Sequence, residues 1–222
     1  MASVGFALDL SSPQGTFSLF HLDTSQVIVH HTLPGTFTHS EKLLEHIENV
    51  LHKTGIRFNM IQEWITTRGP GSFTGLRIAF STLKAFVAVT QKNLITVESP
   101  EARAHAYLLR LEPQIWPESL LVLSHLTAER YVLTHFDQKG GALFKTQELV
   151  ASNAEAQAFA KCPVLVDSKI SDKFVLNLKM RQVIDLSSEH LCQAHQLKSK
   201  MVYQPKELHS VIPTYFGSSH FD

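Results

Sequence analysis

The sequence predicts an α/β fold in which mixed sheets are covered by helices. Residues 1–111 read in the order strand, strand, strand, helix, strand, helix, strand, helix. Apolar residues fill 44% of the 222 positions and charged residues 18%, enough apolar surface to bury a core. No stretch has the polar, charge-rich bias of a chain that cannot bury one.

Val4-Gly5-Phe6-Ala7-Leu8-Asp9-Leu10 is an apolar run ending in an acid, followed by the turn formers Ser11-Ser12-Pro13-Gln14-Gly15, and reads as a buried first strand. Strands over 16–22 and 27–33 complete a meander around the polar Asp23-Thr24-Ser25-Gln26. Thr38 or Ser40 is positioned to cap a helix whose Leu43, Leu44, Ile47, Val50 and Leu51 recur along one face, and Gly55 ends it. Trp64-Ile65-Thr66-Thr67 is a fourth strand leading through a glycine-rich loop into a helix that runs to about Thr90. A strand over 93–97 and a helix over 100–111 follow, and Pro113, Trp116 and Pro117 mark a lobe boundary. The expected lobes are residues 1–111 and a smaller 112–222. The second holds strands over 120–126, 129–136 and 142–149, a helix over 154–161 and a strand over 163–167. A last helix over 187–202 is expected to pack back on the first lobe. No sequence repeat is visible.

Twenty Lys and Arg balance twenty Asp and Glu without a basic stripe, which excludes an autonomous nucleic-acid binder. The longest apolar run, Ala85 to Val89, predicts no membrane span, and the N-terminus shows no secretory signal; a cytoplasmic location is expected. Cys162 and Cys192 lie far apart and read as reduced structural thiols. Thirteen histidines include no pair four residues apart, so no metal site is expected. No activated Ser or Cys, HExxH pair or pair of acids supports a peptidase.

Arg68-Gly69-Pro70-Gly71-Ser72-Phe73-Thr74-Gly75-Leu76-Arg77 joins a strand to a helix. Three glycines in seven residues let the backbone turn sharply and expose the first helical N–H groups, which attract anions. Gly69, Gly71, Ser72 and Gly75 are therefore candidates for holding a phosphate-bearing cofactor. A nucleotide P-loop, however, places Lys and then Ser or Thr after its last glycine, where this chain has Leu76 and Arg77. The competing reading is a tight strand-to-helix corner capped by Ser72 or Thr74.

This ten-residue run resembles the signature of the bacterial TsaB (YeaZ) family. Asp9-Leu10-Ser11 is similar to that family's Asp-Thr-Ser/Ala after the first strand, His39-Ser40 to its His-Ser/Thr, and Pro213-Thr214-Tyr215 to its Pro-x-Tyr. The resemblance implies an actin-like (ribonuclease H-like) fold of two related lobes. It also implies a non-catalytic subunit that dimerises with the homologous catalytic subunit TsaD. With the ATPase TsaE, that pair places a threonylcarbamoyl group on N6 of the tRNA adenosine 3′ of the anticodon. No intrinsic cofactor is implied; ATP and metal belong to the partners, tRNA is met through the complex, and a homodimer is expected in isolation. Ser124-His125-Leu126 stands where the family has Asp-Ala-Arg, and Phe216-Gly217 where Leu-Arg is usual. The resemblance also adds Asp9 and Ser11 to the cofactor-binding candidates, and an alternative class is an independent actin-like ATPase or phosphotransferase using Asp9 and the glycine loop.

The apolar arc of the helix over 73–90 spans about 220° on a helical wheel, wider than one sheet covers. Leu76, Ala79, Phe80, Leu83, Phe86 and Val87 are expected to face the chain's own sheet. Ile78, Thr82, Ala85 and Val89, together with Leu43, Ile47 and Val50 of the preceding helix, are expected to face a partner.

Overall fold

A computed structural model describes residues 3–12, 14–34, 40–127, 130–140, 142–152, 155, 162–166, 181–183, 186–194 and 200–214. They form two compact units, one of Met1–Glu98 with Ser187–Thr214 and one of Ser99–Leu186.

In the first unit β1 (Val4–Asp9) is buried along its whole length, as its apolar run requires. It pairs antiparallel with β2 (Thr16–His21), which pairs antiparallel with β3 (Val27–Thr32). On its other side β1 pairs parallel with β4 (Ile61–Thr67), and β4 with β5 (Asn93–Val97). Helices α1 (Ser40–Thr54) and α2 (Phe73–Thr90) join these strands. Leu43, Ile47 and Val50 of α1 and Ala79, Phe80, Leu83 and Val87 of α2 enter one core with Phe6, Leu8 and Trp64. Trp64 is fully buried, and its indole N–H donates to Thr90 Oγ1 at 3.0 Å, so the ring's one polar group is satisfied at the end of α2. By length and composition α2 is apolar enough to cross a membrane, which the five-residue run did not suggest; a third of it is buried inside the protein.

In the second unit β6 (Ser119–Thr127) pairs antiparallel with β7 (Arg130–Lys139), and β7 with β8 (Ala142–Ser152). It pairs parallel with β9 (Val164–Val166), and β9 with β10 (Arg181–Val183). The orders β3-β2-β1-β4-β5 and β8-β7-β6-β9-β10, with the same strand directions, are one plan used twice. That duplication is the actin-like fold expected above. It is invisible as a sequence repeat because the plan is carried by apolar alternation, which many sequences satisfy.

The boundary expected at 111/112 lies at Glu98/Ser99. The reason is packing: Ala104, Ala106 and Leu108 of α3 (Ser99–Leu108) share a core with Leu120, Val122, Phe136 and Leu165. The opposite face of β6 places Leu121 and Leu123 against Tyr131, Leu133, Val164 and Val166. The final helix, α4 (Ser188–Ala194), is grouped with the first unit and contacts β1 and β2. It does not run to 202, because Met201–Tyr203 is a strand, β11, antiparallel to β5. The short strands β10 and β11 were not anticipated. The helix expected over 154–161 lies outside the described residues except for Glu155.

Candidate functional site

The signature run begins at the C-terminal end of β4, beside the end of the parallel strand β1. Ser72 caps α2, its hydroxyl accepting from the Gly75 N–H at 3.3 Å, and the Ser72 N–H donates to the Ser11 carbonyl at 2.8 Å. The backbone of the β1–β2 turn thereby occupies the ground above the helix start. A Cβ on Gly75 would lie 1.7 Å from the Leu10 carbonyl oxygen, and one on Gly71 would lie 2.6 Å from Ser11 Cβ. These glycines admit the chain's own backbone. That is the strand-to-helix corner of the competing reading.

Asp9 is fully buried, and its Oδ1 accepts from the Ser11 N–H at 3.0 Å and the Ser11 hydroxyl at 2.6 Å, which shapes the turn the glycines pack against. Gly69 has φ +102, and a Cβ there would meet the Thr214 carbonyl at 3.0 Å; the Thr214 N–H donates to the Arg68 carbonyl at 2.7 Å. The motif thus ties down residues 211–214, whose Val211 is in the core. Asp9, Ser11, Gly69, Gly71, Ser72 and Gly75 are all brought together, as the sequence suggested. What they make is a packed knot joining three distant parts of the chain.

The knot's arginine belongs to the same scaffold. The Arg68 guanidinium pairs with Glu98 at 3.0 Å, its side chain 11% exposed, and its other nitrogen approaches the Thr96 carbonyl at 3.4 Å. Arg68→Leu is expected to lower stability by about 2 kcal/mol, because the half-buried Glu98 carboxylate loses its cation. A urea-unfolding midpoint matching the wild type would contradict this role.

The α2 residues expected to face the chain's own sheet lie in its core, and so do the α1 residues expected to face a partner. Leu76, Ala79, Phe80, Leu83 and Val87 are buried and Phe86 is half-buried against the same core. Of the residues assigned to a partner, Ala85 and Val89 are exposed, Val89 at 76%, and Ile78 and Thr82 are half-buried. Leu43, Ile47 and Val50 are no more than 6% exposed and are core residues of this chain. The 3.6-residue pattern identifies an apolar face without saying what it packs on. The outward apolar residue of α1 is Leu44, 57% exposed. With Ile47, Leu51, Ile56, Phe58 and Phe86 it lines a cavity of about 590 Å³. Ile47→Asp is therefore expected to prevent folding, since it buries an unpaired charge; a variant with native circular dichroism and thermal midpoint would refute this.

Burial pushes the Cys192 thiol up to about 12 and raises the half-buried Cys162 as well, which disfavours the nucleophilic thiolate at both. Among the described residues no group of three or more His, Cys, Asp or Glu is arranged to hold a metal ion. One contact the sequence did not reveal joins His31 Nε2 of β3 to His46 Nδ1 of α1 at 3.2 Å. Fifteen residues separate them, so no local spacing signals the pair. In the second unit the buried Arg103 donates to Ser124 Oγ at 3.1 Å, the serine standing where the resemblance led one to expect an acid.

The family model described as "TsaD: tRNA N6-adenosine threonylcarbamoyltransferase" matches residues 35–173. The tRNA threonylcarbamoyladenosine biosynthesis protein TsaB of Buchnera aphidicola is 26% identical over 194 residues, covering 81% of this chain and 83% of its own length. The MG208 homolog of Mycoplasma pneumoniae is 30% identical over 82 residues, 37% of this chain and 42% of its own length. YeaZ from Pseudomonas aeruginosa superposes with a TM-score of 0.70 at 18% identity, covering 96% of this chain and all of that one. A second Pseudomonas aeruginosa structure, described as similar to peptidase YEAZ, gives 0.73 at 18% identity, covering 97% of this chain and all of its own. A fold repeated in two units, the glycine knot and these matches agree: the chain belongs to the family described by the threonylcarbamoyltransferase model, and within it to the TsaB (YeaZ) group.

Proposed function

We propose that this protein works in the formation of N6-threonylcarbamoyladenosine on tRNA as a non-catalytic subunit that pairs with a TsaD-type partner. The observation that carries the reading is the division of labour in the first unit. The glycine motif is consumed by contacts with the chain's own Leu10, Ser11 and Thr214. Meanwhile Ala85 and Val89 on one flank of α2, and Leu44 of α1, stay open to solvent. A phosphate-binding loop needs its glycines free for the ligand, whereas a dimerisation subunit needs an open apolar face.

In this reading ATP and metal are held by the partners, TsaE among them, tRNA is engaged through the complex in the cytoplasm, and the same face pairs two copies when the partner is absent. The partner-facing set is Ile78, Thr82, Ala85 and Val89 with Leu44, in place of Leu43, Ile47 and Val50. Depletion in the source cell tests the reading. Nucleoside analysis of bulk tRNA should show threonylcarbamoyladenosine falling and returning on re-expression. Unchanged modification, or steady ATP turnover by the purified chain that is lost in Asp9→Ala, would overturn it in favour of an independent actin-like ATPase.

A further inference from the structure

Strand β3 lies at the edge of its sheet and carries two adjacent histidines, which therefore point to opposite faces. On one face His30 Nδ1 meets Ser18 Oγ at 3.0 Å and Ser188 Oγ, at the start of α4, at 3.3 Å. On the other, the His31 ring lies between Phe17 of β2, at 4.9 Å between centroids, and His46 of α1, at 5.1 Å. Among the described residues, the hydrogen bond that joins His31 to α1 is the ring-to-ring contact with His46 at 3.2 Å.

Two imidazole nitrogens this close share one hydrogen: one ring donates and the other must keep a lone pair. With one proton added the contact survives as an imidazolium–imidazole bond. With both rings protonated neither nitrogen accepts and two cations face each other. We propose that the His31–His46 pair is an acid-released latch that holds α1 against the edge strand β3. Glu189 of α4 lies 4.0 Å from His30 Nδ1 on the opposite face, while the charges acting on His31 itself are cationic. Lys53 of α1 and His30 of β3 act on His31 as like charges, Lys42 lies one turn before His46 on α1, and the β2 position opposite His31 is the uncharged Phe17.

Burial first, then His46, His30 and Lys53, hold His31 below the ordinary histidine value. The folded protein therefore binds fewer protons here than the unfolded chain. The latch is intact above the unfolded value and is lost as pH falls through about 6.5 and on through the depressed value of His31. Leu43, Ile47 and Val50 keep α1 in the core, so the effect is more frequent local opening of the helix, not global unfolding. The latch belongs to this unit by itself; its consequence for pairing, through Leu44 on the same helix, rests on the function proposed above.

Hydrogen-exchange mass spectrometry of the full chain between pH 7.5 and 5.5, corrected for intrinsic exchange, tests the latch directly. In the wild type, protection of α1 peptides should fall by at least about threefold more than that of β1 peptides. In His46→Gln that excess should be clearly smaller, what remains being due to the burial of His31. An equal fall in both proteins, or no excess in the wild type, overturns the proposal. Should His46→Gln fail to fold, an NMR titration of the wild-type His31 imidazole decides: it should titrate below the ordinary histidine value and in two steps, as a ring coupled to a second titrating group must. A single ordinary curve for His31 would overturn the latch while leaving the tRNA-modification reading untouched.

Discussion

Gly75→Ala should cost at least about 3 kcal/mol of stability and lower the thermal midpoint by about 6–12 °C. Intrinsic propensity points the other way, since alanine within a helix gains about 1 kcal/mol over glycine. Sterics win because the added carbon would sit 1.7 Å from the Leu10 carbonyl oxygen and 2.8 Å from its carbon. That carbonyl cannot withdraw cheaply. The next residue's carbonyl receives the Ser72 N–H, and Ser11 is tied by two hydrogen bonds to the buried Asp9. Either the turn or the helix start must shift, disturbing every contact of the knot. Gly55→Ala is the matched control: its φ is +68 but nothing lies within 4 Å of the added carbon, so only backbone strain of about 1 kcal/mol applies. Thermal and urea unfolding of the two purified variants would measure the contrast. A Gly75→Ala protein as stable as Gly55→Ala would mean that the glycine serves a ligand and not the fold.

Ala85→Glu should weaken association with a TsaD-type partner by about thirtyfold or more, which corresponds to about 2 kcal/mol. The thermal midpoint should stay within the range of an exposed substitution, about 0.5 kcal/mol. Both halves follow from where α2 puts this residue. Ile78, Thr82, Ala85 and Val89 follow one another at spacings of four, three and four, along one stripe. Ala85 is exposed while Leu83 and Val87, two residues to either side, are buried. A carboxylate at 85 is hydrated in the free protein and is stripped of water only when a partner covers the stripe. Titration calorimetry against the partner, with sedimentation velocity for self-association, reads the effect. Unchanged affinity would place the partner elsewhere, and a lowered melting temperature would show that the stripe is core.

How much of this was legible in advance follows from the range over which each interaction acts. The meander of β1 to β3, the bounds of α2 and the Ser72 cap were readable because they depend on alternation, turn residues and capping within a few positions. The signature run likewise brought Asp9, Ser11 and the three glycines into one site on paper, and they do meet. Tertiary structure alone decided what that site is for. The space beside Gly71 and Gly75 is filled by Ser11 and Leu10, some sixty residues away in the chain, and no spacing within the loop records that. The same limit misplaced Leu43, Ile47 and Val50, since a periodic apolar face is identical on paper whether a sheet or a partner covers it. It also hid the His31–His46 pair and β11 beside β5. The sequence by itself determined which segments become strands and helices and to which family the chain is similar. Which apolar face is buried, which glycine is filled and which histidines touch were decided only when the sheets brought distant segments within contact distance.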